Sequence, residues 1–596
     1  MLTLQQFDIL NLFFKNQDKK YTQREISDIT EISLGKVNET LKELKDNKFL
    51  DEDLKITDAG FEALEPYKVD NAIIMAAGMS SRFAPLCYES PKGLLNVKGE
   101  KLIEREILQL KEAGIEDITL VVGYMKEKMF YLAEKFGVDI VVNSDYYRFN
   151  NTSSLILVTE KLKNTYICSS DNYFPKNPFE KYVYRAYYSA VYQEGESDEY
   201  FAECDKKGRI KGITIGGKDD WIMLGHVFFD REFSNKFVKL LKAEYHEQTV
   251  RENLWENFYM RHLKELDNMY IKKYDADDIK EFDSLEELRV FDEKYVTNSG
   301  SKIFQNICGV LKCNEEEIKD IKPIKTGMTK TSFKFSQNGK SYVYRHRSPE
   351  TELIINRKSE FDSMKIAKEL GLDDTYIYMD SEKGWKISSY IEDVRILDYE
   401  DKENVRRAIS MLKKLHTSGR ETDFEFNIFD EIENFKLKIK NSHRDDFEDM
   451  NLMNDKIYKL KEFLDKDNVK NCLCHCYSYN LNFLMDKNDG MYLIDWEYSA
   501  MSDPAGDIGC FITCSKYSFD ESIEIIKEYF DGNPTDEELR HYVAYVAVSS
   551  FYWFLWAINQ EIQGKSIGEY LYIWYNHTKE YADYAFKLYE QSGSNE

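Results

Sequence analysis

A buried-strand signature runs straight into a small-residue loop. Ala72-Ile73-Ile74-Met75-Ala76-Ala77 is followed at once by Gly78-Met79-Ser80-Ser81-Arg82-Phe83, and Pro91-Lys92-Gly93-Leu94-Leu95 comes shortly after. A strand ending in such a loop points backbone N–H groups at whatever sits beyond the sheet edge, which suits phosphate oxygens at a helix N-terminus. Arg82 can fork onto phosphate oxygens. Lys92, set by a rigid proline, can neutralise charge developing on phosphorus. Later apolar runs, Ile118–Val122 and Val138–Val142, alternate with helical stretches. That alternation predicts βαβ units and a mostly parallel sheet, an α/β Rossmann-like domain over residues 68–296.

The rest of the 596 residues exceeds one domain, and the length predicts several. A net charge of −26 excludes a general polyanion binder, because phosphate backbones demand clustered Lys and Arg. Ten cysteines scattered along the chain, behind an N-terminus without a basic, apolar leader, read as reduced thiols of a cytoplasmic protein. Cys472, Cys474, His475 and Cys476 are close in sequence, but no second pair follows at zinc-like spacing. His541 to Gln560 carries no Lys, Arg, Asp or Glu, yet holds Tyr542, Tyr545, Ser549, Tyr552, Trp553 and Trp556. That content predicts a buried helix lining an aromatic pocket, not a lipid-facing span. Aromatic residues make up 14% of the chain, enough for cores and for cages around cationic ligands.

The loop, together with Ile103-Glu104-Arg105, Val121-Val122-Gly123-Tyr124, Asn143, Asn150-Asn151, Ser153-Ser154-Leu155, Asp171-Asn172-Tyr173 and Trp255-Glu256-Asn257, resembles the sugar-nucleotidyltransferase-like family, above all the bacterial CTP:phosphocholine cytidylyltransferases. The resemblance implies Mg²⁺ held by Asp171 and, less directly, by Glu256, which stands where the family often has Asp. It implies CTP contacts from Ala77, Gly78, Ser81, Arg82, Asn150 and Asn151, with Arg82 and Lys92 catalytic. Tyr173, Tyr192, Tyr200 and Trp255 are candidate walls for the quaternary ammonium of phosphocholine.

Downstream, Ile324 to Lys334 reads strand, polar turn, strand, and Tyr342-Val343-Tyr344-Arg345 is the next strand. His475, Asn482, Asp495-Trp496-Glu497 and Asp503-Pro504-Ala505-Gly506-Asp507 follow far along. This resembles the choline kinase and aminoglycoside phosphotransferase family, and implies a bilobal, protein-kinase-like α+β domain over 300–596. Asn482 and Asp495 match its Mg²⁺ ligands. Thr329, Arg345, Ser389 and Ile391 match its ATP site, with Glu360 expected to pair with Arg345. Glu497, two residues beyond Asp495, shares a face with it if the strand continues. Glu497, Trp553, Trp556 and Trp574 are candidates for a choline pocket. One departure is decisive: His475-Cys476-Tyr477-Ser478-Tyr479-Asn480-Leu481-Asn482 puts Tyr477 where the family has its catalytic Asp. Tyrosine, with an ordinary pKa near 10, is a poor base at neutral pH.

Residues 1–67 predict a compact helical unit. Thr22-Gln23-Arg24-Glu25 is a capping-box start, Ser33 can cap the next helix, and Thr57 precedes another. The order resembles a MarR-like winged helix-turn-helix. Residues 1–70 nevertheless hold ten Lys/Arg against fifteen Asp/Glu, which argues for a docking or dimerising module and against DNA binding. The expected partners are therefore CTP, phosphocholine, choline and ATP, with a homodimer formed through the first unit. The alternatives are a sugar-1-phosphate or phosphoethanolamine nucleotidyltransferase, or a choline-responsive regulator with a sensor kinase fold.

Overall fold

The computed structural model describes all residues except 18, 267, 325–330, 347–355, 443–446, 564 and 594–596, and the side chains at 592–593. The chain forms two compact units, which part between residues 309 and 317.

The first unit begins with helices Leu4–Lys15, Gln23–Thr30 and Leu34–Asp46, an antiparallel bridge between Leu50 and Ile56, and helix Asp58–Leu64. Thr22 and Glu25 form a reciprocal capping box at the second helix, a device that contributes about 1 kcal/mol. Thr57 caps the fourth through the Gly60 amide. Ser33 precedes the third but its side chain makes no capping bond.

A seven-stranded sheet follows, ordered Tyr270–Tyr274, Tyr187–Cys204, Ile210–Phe229, Thr165–Ser169, Asn71–Ala76, Ile118–Val122, Asp139–Val142. The strands flanking Asn71–Ala76 run parallel to it, with Ala72 opposite both Ile118 and Tyr166. The long hairpin Tyr187–Phe229 brings the antiparallel pairs. Alternation sends Ile74 and Leu120 into one core with Ile103, Ile107 and Leu110, and Ile73 and Val121 into another with Phe233 and Phe237. Both faces are covered, which explains the uninterrupted apolar run. The central strand stops at Ala76, and Ser80 turns the chain with φ +50°. Gly123 fixes this loop from the side: a Cβ there would lie 2.8 Å from the Ala77 carbonyl and from Tyr146. The Tyr124 amide donates to the same carbonyl at 3.0 Å.

The second unit opens with a five-stranded antiparallel sheet, ordered Lys319–Ile324, Ser332–Gln337, Lys340–Arg345, Lys386–Ser389, Tyr376–Met379. From Lys402 it is mainly helical. Helix Asp536–Ile562 is buried from His541 to Gln560 apart from Tyr552 and Trp556. It is apolar all round because it is the shared core of the helical part, where Ala505–Thr513 crosses it closely. A Cβ on Gly509 would meet Tyr545 backbone at 2.8 Å and Ser549 Oγ at 2.6 Å. No described helix is long and apolar enough to cross a membrane.

Candidate active sites

In the first unit the phosphate loop opens onto a cavity of about 530 Å³. Ala77, Gly78, Arg82, Asn150, Asn151, Tyr200, Trp255 and Glu256 all line it, so most of the predicted nucleotide and substrate residues meet in one place. Ser81 lies in the short turn Ser81–Phe83 and is not among the lining residues. Asn143 braces the far wall, donating to Ser153 Oγ at 2.9 Å and Ser154 Oγ at 3.0 Å. Asn151 Oδ1 accepts from the Trp255 amide at 2.7 Å, which ties that wall to helix Trp255–Arg261.

Lys92 is buried, its ammonium 2.7 Å from Asp171 Oδ2 and 4.7 Å from the centre of the Phe83 ring. Burial alone would raise the Asp171 carboxyl. The Lys92 charge and hydrogen bonds from Lys92 and Ser169 outweigh it and hold the carboxyl below its ordinary value. Glu281 is raised by burial and by the charge of Asp171 beside it. Arg82 is exposed and pairs with Asp283 at 3.2 Å.

The carboxylate raised by the Asp171 charge is Glu281, which lies outside the predicted set, and Glu281 and Glu256 both line the cavity. Glu256 accepts from Tyr188 Oη at 3.2 Å and Asn151 Nδ2 at 3.4 Å, and burial pushes its carboxyl up to about 7. The Tyr188 ring is stacked on Trp255, centroids 5.8 Å apart at 10°. Tyr173 lies outside the cavity, packed on Phe291 at 5.3 Å and under the Arg105 guanidinium, because its short strand pairs with Lys280–Glu281. Tyr192 is 44% exposed on the hairpin, donating to the Asp219 carbonyl. Sequence reasoning missed Tyr188, Glu281 and Asp283. The signal was Glu281-Phe282-Asp283, two carboxylates in alternation just before the Ser284 helix cap.

In the second unit a cavity of about 550 Å³ is lined by Arg345, Ser389, Ile391, Tyr477, Asp495, Glu497 and Trp556 from the predicted set, and by Lys386, Tyr479 and Tyr498. Thr329 lies outside the described residues. Arg345 Nη1 donates to Asp495 at 2.8 Å and Nη2 to Glu497. Burial would raise Asp495, but the Arg345 charge holds it below its ordinary value, whereas burial and Asp495 raise Glu497. The expected Arg345–Glu360 pair is replaced. Lys386, directly opposite Arg345 in the ladder, takes Glu360 at 3.1 Å, and Arg357 takes it at 3.0 Å. Glu497 reaches Arg345 by a turn and not by strand alternation: the strand ends at Leu493 and Asp495 adopts φ +69°.

The loop carrying Tyr477 is firmly held. Asp507 accepts the amides of His475 (2.8 Å) and Cys476 (2.7 Å) and His416 Nε2 (2.9 Å). His475 itself is buried and bonded to the Ile494 carbonyl, and burial lowers its pKa. Asn482 is buried beside the loop, its amide on the Tyr477 carbonyl, and is not among the cavity-lining residues. Tyr477 stacks on Trp553 at 5.3 Å, with Trp556 and Trp574 at 5.2 and 5.4 Å from Trp553. Trp553 and Trp574 thus back the cavity, and Trp556 faces it. Among the described residues, His416, Cys474 and Asp507 bring metal-capable atoms within 4.8 Å of one another. Asp507 already accepts three hydrogen bonds there.

Residues 72–193 match the MobA-like NTP transferase domain family, and residues 321–547 match the choline/ethanolamine kinase family. The chain is 37% identical over 222 residues to a choline-phosphate cytidylyltransferase of Streptococcus pneumoniae, covering 37% of this chain and 96% of that one. It is 35% identical over 230 residues to a 2-aminoethylphosphonate cytidylyltransferase of Lancefieldella rimae, covering 38% and 93%. Among solved structures, the choline kinase LicA of Streptococcus pneumoniae aligns at 26% identity over 47% of this chain and 97% of that one, with a TM-score of 0.40.

Proposed function

The chain belongs to the choline-phosphate cytidylyltransferase family, fused here to a choline kinase-like domain, and from that membership we propose that it joins CTP to phosphocholine, giving CDP-choline and pyrophosphate. A phosphate oxygen of phosphocholine attacks the α-phosphorus of CTP; the new P–O bond forms as the α–β anhydride breaks and pyrophosphate leaves. The attacking oxygen is already ionised at neutral pH, so the protein supplies no nucleophile and no base. Its work is positioning and charge neutralisation. Ala77 and Gly78 offer the loop, and Arg82 and Lys92 offer positive charge. Asp171 and Glu281 fit a hard divalent cation, Mg²⁺ in this reading, since two crowded carboxylates are relieved by one. Bound there, it would neutralise triphosphate charge.

One observation carries the substrate choice. Opposite the loop, the Tyr188–Trp255 stack stands beside Glu256, whose two oxygens already accept hydrogen bonds. A carboxylate beside aromatic faces suits a quaternary ammonium. Pyrophosphate release with CTP, Mg²⁺ and a panel of phosphocholine, phosphoethanolamine, 2-aminoethylphosphonate and a sugar 1-phosphate tests this. Phosphocholine should give the highest kcat/KM; preference for a primary amine or a sugar phosphate overturns it.

In the same reading the kinase-like domain, 300–596, turns choline over weakly or not at all. Tyr477 occupies the base position, and burial holds its phenol proton well above the ordinary value. The product would supply phosphocholine to cell-surface glycans from the cytoplasm. The first 67 residues form a winged-helix-like docking module. Lys15 and Asn11 of its first helix reach Glu180 of the adjoining domain, and Tyr182 joins its core.

A further inference from the structure

We propose that the kinase-like domain is a retention site for phosphocholine. The aromatic faces of Tyr477, Tyr479, Tyr498 and Trp556 take the trimethylammonium, and Arg345 and Lys386 take the phosphate, with no transfer step. This rests on the reading that Tyr477 prevents turnover.

All six side chains line one cavity. Tyr477 is its centrepiece, 4.9 Å from Tyr479 and 5.2 Å from Tyr498 between ring centres. It is not a loose replacement: Asp507 fixes the backbone on its N-terminal side, and the Trp553 ring supports its face. An aspartate at this position would set a negative charge beside the phosphoryl group and repel a phosphorylated product. Tyr477 removes that charge and adds an aromatic face in the same step. The lost charge moves preference from choline, a simple cation, toward a molecule with an ammonium at one end and a phosphate at the other, while the added face favours the ammonium of either. Arg345 and Lys386 are already paired with Asp495, Glu497 and Glu360, so the phosphate shares these cations. Retention on the chain that consumes phosphocholine raises its effective concentration there.

Calorimetric titration of the full chain with phosphocholine, without nucleotide, tests this. The wild type should take up two molecules per chain, one in each unit. Trp556→Ala should lose one of them. Tyr477→Asp should weaken that site about tenfold for phosphocholine and strengthen it for choline, while Tyr477→Phe, which keeps the ring, should retain it. Wild-type uptake that Trp556→Ala leaves unchanged, or choline held there as tightly as phosphocholine, overturns the proposal. Phosphorylation of choline by the wild type with ATP and Mg²⁺ overturns the reading beneath it as well. Uptake unchanged by Trp556→Ala, with no turnover, overturns the retention site alone.

Discussion

The two cavities are of similar size but ask different things of the protein. In the nucleotidyltransferase site the reacting atoms all belong to the substrates. In the proposed reading the chain offers charge and position, through Arg82 and Glu281 in the cavity lining and the Lys92–Asp171 ion pair. In the kinase-like site a hydroxyl proton must go somewhere, and the residue that would accept it is Tyr477. One site tolerates variation among its walls, because no single side chain does the chemistry. The other depends on one group, and a single substitution changes what it is for.

The largest expected effect breaks this contrast directly. Tyr477→Asp should raise choline phosphorylation, followed by ADP release, about 10²–10⁴-fold over the wild type. No gain would mean that the missing base is not what separates the two sites. Next, Lys92→Ala should lower pyrophosphate release about 10²–10³-fold, with Lys92→Arg recovering part of it. Thermal unfolding should accompany the kinetics, because removal of Lys92 leaves the half-buried Asp171 without its ion-pair partner. A smaller effect sharpens the substrate end. With its carboxyl pushed up to about 7, Glu256 is neutral below that pH and charged above it. The KM for phosphocholine should therefore rise as pH falls through 7, with kcat less affected, and Glu256→Gln should flatten the profile. A KM that falls at low pH would separate Glu256 from the ammonium.

The smallest effect concerns the helical module. Glu180, held down to about 2 despite burial by the charges of Lys272 and Lys15, contributes stability that is complete above about pH 4.5 and lost as pH falls toward 2. Glu180→Gln should cost about 1–3 kcal/mol and expose the junction near residue 67 to protease. Unchanged cleavage would show that this contact does not secure the module.

The sequence was informative where chemistry and chain order coincide. The strand and the loop around Gly78 are contiguous, so the opening of the loop onto the cavity could be read in advance. So could the capping box at Thr22 and the buried helix ending near Gln560. The companions of Asp171 and Arg345 could not. Glu281 approaches Asp171 because a two-residue strand pairs with Asn172–Tyr173, and Lys386 displaces Arg345 from Glu360 because the two stand opposite in a ladder. Register decides both, and register is a property of distant segments. The aromatic candidates divided for a similar reason. Tyr188 and Trp255 stack on one another in the cavity lining only once the hairpin and the helix at Trp255 are placed, while Tyr173 and Tyr192, equally plausible by type, point elsewhere.

The pair of lysines on Glu180 has a consequence for how such a gene can change. Lys272 belongs to the catalytic fold and Lys15 to the first helix, and both close on one carboxylate at 2.8 Å, beside a core that Tyr182 shares with Leu2, Phe7 and Leu10. A lineage that lost the leading codons would inherit an enzyme with bared aromatic surface and a half-neutralised acid, and further mutations would have to cover both.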